Sequence, residues 1–356
     1  MKTNTRKLNF NAGPAMLPEE VLQIASEAVM DHNGSGISVL ELQHRGDAFE
    51  AILEECNSLV RELCELGKDY EIVWVHGGGR QLFCMIPMNF LGEGAKAGFI
   101  DSGHWAEEAQ KYAAFYGDAL TLASSKEQHY RCLPELPLFY DSSLKYVHFT
   151  TNNTIYGTQW HQLPAIKCQL VADMSSDIFS IKRNYRQFGL FYAAAQKNLG
   201  ISGVGLAVIR KDFLATKKQA LPPFLDFSEQ VRAKSVVNTS NVFGIYMALL
   251  MLRWTKARGL ETIEKENRQK AKIVYDALDQ SESFIPYVSI KEHRSLTNIV
   301  FKARDKETES KFNALCLENN ITGIGGHRSL GGFRVSLYNA VALKDVERLV
   351  EVMDNG

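Results

Sequence analysis

Two side chains in this sequence carry the means for carbonyl chemistry. Lys197 stands near the end of "FGLFYAAAQKNLG", residues 188–200, where aromatic and small apolar residues run up to Gln196. Glycine-containing turns and a second apolar run, "GVGLAVI", follow. An ammonium at the end of a buried run must find a partner, reach water or give up its proton. A lysine held near neutrality attacks a carbonyl or an aldehyde. A lysine that packs its stem and lifts its head into water has the same local sequence. Asp173 ends another apolar run, "LVADMSSD", and ligands of open α/β sheets bind beyond the carboxyl ends of strands. A turn or N-cap aspartate would read the same way. The chemical alternative is a carboxylate that keeps a ring nitrogen protonated.

An acid at one strand end and a lysine at the next match the two handles of pyridoxal phosphate, the ring nitrogen and the aldehyde carbon. Three more clusters bear on this reading. "HGGGRQLF" places three glycines between a strand and a helix start, a pattern that aims bare amides at a phosphate or makes a plain tight turn. It lacks the spacing of the dinucleotide and Walker motifs. "DSGHWAEEA" puts Trp105 early in a helix, as core or as a platform for a planar ring. His44 and Arg45 in "ELQHRGD", Arg80, and His327, Arg328 and Arg334 in "GGHRSLGGFRVSL" form a basic set suited to a doubly charged anion and a carboxylate.

The elements that must position these residues alternate along the chain. "EIVWV", "AGFI", "ALTL", "KYVHFT", "CQLVA", "GLFYAAA" and "GVGLAVI" read as strands, with helical stretches between several of them. Residues 47–63 predict a helix with an Asp47/Glu50 capping box, ended by Gly67. The alternation predicts an α/β fold with a mostly parallel, doubly covered sheet and one antiparallel pair between the last two strands. Beyond Gly259 the texture changes to a long charged helix, "TNIVF", a helix at 308–319, "FRVSL" and a last helix at 344–353, a smaller α+β domain. With 356 residues, a net charge of -1 and 45% hydrophobic residues, the chain has no electrostatic footprint for nucleic acid or membrane surfaces. Six cysteines without a CxxC read as free thiols of a reducing compartment, and no metal is expected. No apolar run has signal-peptide or membrane-span length, so a cytoplasmic location is expected.

"FNAGPAMLPEEVL", "HRG", "HGGGR", "NNTIYGTQW", "VADMSSDI", "YAAAQKNLGISGVG" and "GHRSLGGFRVSLYNA" follow one another nearly end to end. By these motifs the chain resembles the phosphoserine aminotransferase family, class-V, fold-type-I enzymes that use pyridoxal 5'-phosphate. The resemblance implies a large cofactor-binding domain over 16–259 with a mostly parallel seven-stranded sheet. It also implies a small C-terminal domain over 260–356, with residues 1–15 packing near it and the active site. It implies reversible amino transfer, 3-phosphohydroxypyruvate plus L-glutamate giving O-phospho-L-serine plus 2-oxoglutarate, in L-serine biosynthesis. It also allows 3-hydroxy-2-oxo-4-phosphooxybutanoate of vitamin B6 biosynthesis as a substrate.

By the same resemblance Lys197 would bind the cofactor covalently and shuttle a proton, and Asp173 would pair with the ring nitrogen. Trp105 would stack on the ring, and Thr154 would bond its hydroxyl side. Gly79, Arg80 and Gln196 would hold the cofactor phosphate, joined by Asn238 and Thr239 of the other subunit of a homodimer. His44, Arg45 and Arg80, with His327 and Arg328 from the neighbour, would bind the substrate phosphate or the glutamate side chain, and Arg334 the α-carboxylate. Ala12 stands where some members have serine, and "TTNNTIYG" departs from the "PNETIDG" version. Alanine–glyoxylate transaminases, cysteine desulfurases and non-catalytic cofactor-binding regulators share the fold-level argument. The His/Arg set weighs against the first, the lack of a cysteine in an evident catalytic loop against the second, and the lack of an appended DNA-binding helix pair or basic tail against the third.

Overall fold

The computed structural model describes residues 6–217 and 219–355. Residues 1–5 of the segment expected to pack near the small domain lie outside the described residues. The strands are β1 (Leu8–Asn9), β2 (Tyr70–Gly77), β3 (Lys96–Asp101), β4 (Asp118–Ser124), β5 (Val147–Thr150), β6 (Leu170–Asp173), β7 (Phe188–Ala194), β8 (Gly203–Arg210), β9 (Phe284–Pro286), β10 (Asn298–Ala303), β11 (Ile321–Thr322) and β12 (Phe333–Ser336). The helices are α1 (Glu19–Met30), α2 (Asp47–Leu63), α3 (Gly79–Phe90), α4 (His104–Ala113), α5 (Lys211–Leu214), α6 (Phe227–Arg232), α7 (Val242–Arg258), α8 (Leu260–Gln280), α9 (Lys306–Glu318) and α10 (Leu343–Asp354).

The main sheet has seven strands in the order β2-β8-β7-β6-β5-β3-β4. Its middle is parallel from β7 through β4, and β8 runs antiparallel to both β7 and β2. The sequence predicted one antiparallel pair; the second arises because β2, first in the chain, fills the edge beside β8. β5, β6 and β7 are buried at every position, so their continuous apolar runs match strands covered on both faces. On one face α2 and α7 pack through Phe49, Ile52, Cys56, Leu249 and Leu252 against Trp74 and Leu206. On the other, α3 and α4 supply Leu82, Phe83, Ile86 and Ala109 against Val73, Val171, Leu190 and Tyr192.

Helix α2 has the bounds its periodicity predicts, but not its predicted ends. Gly46 is the N-cap and makes no side-chain cap, so Asp47 opens the helix rather than capping it. Glu50 pairs instead with Lys234 at 2.6 Å. The helix stops at Leu63, before Gly67, where Glu65 takes a left-handed backbone conformation (φ 52°).

Beyond Gly259, β9, β10 and β12 form a three-stranded antiparallel sheet. Phe284, Phe301, Phe312 and Phe333 meet at its centre, with ring centroids 4.9 Å apart for Phe312 and Phe333. Phe10 joins this core, and β1 pairs parallel with β11. The six cysteines are free thiols. Among the described residues no helix is long and apolar enough to cross a membrane.

Candidate active site

The carboxyl ends of β6 and β7 and the start of α3 enclose a cavity of about 440 Å³. Asp173 and Lys197 share its wall with Gly77–Arg80, Trp105, Ser175 and Gln196. Two residues that sequence reading placed at separate strand ends therefore face one space.

Asp173 is the last residue of β6, in register with Thr150 of β5 and Tyr192 of β7. One carboxylate oxygen accepts the Ser175 backbone N–H at 2.9 Å. Burial pushes the carboxyl above its ordinary value, opposed by the Lys197 charge and by the Ser175 hydroxyl and N–H. Lys197 follows β7 in the turn before β8. Burial draws its ammonium down to about 8, and nearby Arg334 acts in the same direction while Asp173 opposes both. At neutral pH and above, a useful fraction of this amine is free to attack a carbonyl.

The glycine run performs the task that bare amides can perform. Gly77 adopts φ 92°, and a Cβ there would come within 3.0 Å of Gln81 Cβ, so the turn into α3 requires glycine. Gly78 caps the helix, leaving the first-turn N–H groups at Gly79 and Arg80 without helical partners at the cavity wall. Gly13 packs against the Lys197 stem. A Cβ on it would lie 3.5 Å from Lys197 Cγ, and the N–H of nearby Ala15 donates to Gln196 O at 2.9 Å.

The remaining predicted residues divide. Trp105 lines the cavity, and its indole N–H donates to Thr154 Oγ1 at 3.1 Å. Thr154 stands behind Trp105, and its carbonyl accepts Arg334 Nη1 at 2.9 Å. Arg80 is exposed, its guanidinium 5.8 Å from the Trp105 ring centroid and 4.0 Å from Glu108. His327 stands beside His104 of its own chain, ring centroids 6.3 Å apart, with Arg328 exposed next to it. Burial lowers the His327 pKa, and Arg334, His104 and Arg328 add to that. His44 and Arg45 line a different cavity, of about 320 Å³, with Glu50, Glu54, Asn57 and Lys234. Asn238 bonds His76 Nε2 at 3.1 Å, and neither it nor Thr239 lines the Lys197 cavity. Within one chain, then, the basic set falls into two groups. His327 and Arg334 stand together, and His44 and Arg45 stand apart from them.

Sequence reading passed over Ser175 and Tyr338. Ser175 was legible as the second residue after a strand-end aspartate, the spacing of an Asx turn. Tyr338 was not, because its hydroxyl reaches Ala12 O, at 2.7 Å, from the far end of the chain. At Ala12 it is therefore the backbone carbonyl that makes the described contact.

The residues present fit pyridoxal phosphate. A buried carboxylate lines the cavity, an amine of lowered pKa faces the same space, and a glycine-lined helix start borders it. A doubly covered α/β sheet with this pair at its strand ends defines a pyridoxal-phosphate-dependent transferase of fold type I. The chain matches the family Aminotransferase class-V over residues 7–349. It is 43% identical to the phosphoserine aminotransferase of Lysinibacillus sphaericus, over 98% of this chain and 97% of that one. It superposes on phosphoserine aminotransferase from Bacillus circulans subsp. alkalophilus with a TM-score of 0.94 at 40% identity, covering 98% of each chain. With pyridoxal-phosphate-bound phosphoserine aminotransferase from Trichomonas vaginalis the TM-score is 0.91 at 30% identity, covering 98% of this chain and 100% of that one. The chain belongs to the class-V aminotransferases and, within them, to the phosphoserine aminotransferase family.

Proposed function

We propose that the enzyme transfers the amino group between O-phospho-L-serine and 2-oxoglutarate, giving 3-phosphohydroxypyruvate and L-glutamate, reversibly. The observation that carries this reading is Lys197 and Asp173 on one cavity wall with Arg334 close enough to act on the lysine. When bound, pyridoxal phosphate supplies an aldehyde that carries the amino group and a ring that delocalises the electron pair left by the Cα proton.

The chain's own residues divide the remaining tasks. Asp173, held by the Ser175 N–H, would keep a proton on the ring nitrogen. Lys197 would hold the cofactor through Nζ, and the same Nζ would take the proton from the substrate Cα and return it. Arg334, tied to Thr154 O by one nitrogen, keeps other N–H groups for an α-carboxylate. Arg80, together with His327 and Arg328 of the same chain and not of the neighbour as the resemblance implied, binds the substrate's phosphate, or the glutamate side chain in the other half-reaction. The first-turn amides at Gly79 and Arg80, with Gln196, would hold the cofactor phosphate, and Trp105 would stack on the ring.

His44, Arg45, Asn238 and Thr239 belong to this scheme only if a second copy brings them to the cavity. We therefore read the working unit as a homodimer with shared sites. Mixing inactive Lys197→Ala and Arg45→Ala subunits should restore activity through hybrid dimers, and no restoration would remove the sharing.

The substrate is tested by a half-reaction. Phosphoserine, serine or alanine is added to the yellow holoenzyme without keto acid, and the absorbance spectrum is followed. Rapid conversion by phosphoserine alone is expected. Conversion by alanine or serine instead would overturn the substrate, and no change with any of them would overturn transamination.

A further inference from the structure

Three consecutive carbonyls just downstream of Asp173 are each taken by an asparagine from a different part of the chain. Asn198 Nδ2, next to Lys197, donates to Ile178 O at 3.1 Å. Asn339 Nδ2, in the loop after β12, donates to Phe179 O at 3.0 Å. Asn267 Nδ2, on α8, donates to Ser180 O at 2.9 Å. The asparagines are also joined to one another. The Asn339 backbone N–H donates to Asn198 Oδ1 at 3.1 Å, and Asn267 Nδ2 donates to Asn339 Oδ1 at 2.9 Å. Their exposures are 2%, 6% and 1% for Asn198, Asn339 and Asn267. Phe179 itself has φ 57°, a left-handed conformation that costs a bulky residue free energy unless its surroundings hold it.

A primary amide offers a donor and an acceptor on one rigid plane, so it can bridge two backbone segments without adding charge. That matters beside Lys197, whose proton affinity answers to Asp173, Arg334 and Asp177. A charged clamp would shift that balance; a neutral one fixes geometry and leaves it alone. The linked segments are the turn that leaves Asp173, the turn that carries Lys197, and the small-domain loop five residues beyond Arg334.

We propose that Asn198, Asn339 and Asn267 form a neutral clamp that positions Lys197 relative to Asp173 and locks both to the small domain that carries Arg334. These are positioning residues, acting through Lys197. The inference rests on the transaminase reading of the site, and its test has a readout that does not depend on that reading.

The variants are Asn339→Ala, which removes the central amide, Asn267→Ala, which removes one end, and Val346→Ala as a control. Val346 is fully buried in the small-domain core, and its truncation loosens that domain without touching the clamp. In cofactor-free protein, the pH dependence of Lys197 carbamoylation by cyanate is read by peptide mass spectrometry. In holoenzyme, kcat and KM are measured. Asn339→Ala should move the labelling midpoint up, toward an ordinary lysine, by about half a pH unit or more. It should lower kcat about tenfold with little change in KM for glutamate, as a misplaced reacting group does. Asn267→Ala should do the same to a smaller degree, and it carries the test if Asn339→Ala does not fold. Val346→Ala should lower the melting temperature and leave the midpoint and kcat where they are. Asparagine variants that lower only the melting temperature, like the control, would overturn the clamp. A wild-type protein without a cofactor absorbance band would sink the transaminase reading instead, and the cyanate midpoint would still decide the clamp.

Discussion

Lys270 is buried and Lys197 half-buried at a cavity wall, and desolvation pulls both pKa values down, to about 7 and about 8. Their surroundings differ in the way that matters. Lys270 Nζ donates to three carbonyls, Leu337 at 3.2 Å, Tyr338 at 3.0 Å and Val341 at 3.0 Å. An ammonium has one N–H for each of the three oxygens and a neutral amine has two, so they favour the ammonium and oppose the pull of burial. Lys197 Nζ has no hydrogen-bond partner among the described residues, and it faces a cavity with a carboxylate on the same wall. A lowered pKa is thus shared by a fastener and a nucleophile. Open space and an unsatisfied amine distinguish the second.

The sharpest way to test that distinction is to remove each amine. Lys197→Ala should abolish turnover and end covalent trapping of the cofactor by borohydride. It should leave the melting temperature unchanged or higher, because a desolvated amine with no partner contributes no stability. Asp173→Ala, which removes the acid on the same wall, should cost about 10²–10³ in kcat, the range for a preorganised electrostatic group. Lys270→Met should do the reverse of Lys197→Ala. With the Leu337 and Val341 carbonyls losing their donor, while Tyr338 O keeps the Val341 N–H, it should cost about 2–4 kcal/mol of stability, seen as a lower denaturant midpoint. Activity should stay within about tenfold of wild type, since the loop it holds reaches Lys197 indirectly, through Asn339 and Asn198 and through Tyr338 and Ala12. Equal loss of activity in the two lysine variants would erase the contrast.

The contrast also shows what a sequence can reveal. Lys197 was legible because its neighbours in sequence are its neighbours in space: an apolar strand before it and glycines after it. Asp173 was legible for the same reason, and so were the bounds of α2, whose burial follows a local period. Lys270 sits in "KENRQKAKIV" and reads as one more cation on a charged helix. Its partners lie near residue 340, and nothing local announces them. The asparagine clamp is hidden in the same way, since each amide bonds a carbonyl 20 or more residues away. The Asp47/Glu50 capping box failed for a related reason. The pattern was present, but Lys234 offered Glu50 a longer-range partner. The second antiparallel pair in the main sheet depends on which strand fills an edge, a choice made by the whole sheet.

The smallest expected effect is the pH dependence of stability that Lys197 imposes on the cofactor-free protein. Its folded pKa, about 8, lies below the ordinary lysine value of 10.5. Between those values the unfolded chain binds more protons than the folded one, so stability rises with pH across that window. Below about pH 8 both states are charged and the full penalty of burying the ammonium stands; above 10.5 both are neutral and the penalty is gone. The whole effect is at most about 3 kcal/mol, and less to the extent that cavity water solvates the amine. Lys197→Met removes it. The stability difference between Lys197→Met and wild type should therefore favour the variant near pH 7 and shrink steadily as pH rises to 10. Denaturant midpoints measured at four or five pH values between 7 and 10 would show it. A difference that stays constant over that range would mean that Lys197 is solvated in the cofactor-free protein, and that its readiness to react depends on the cofactor and not on the fold.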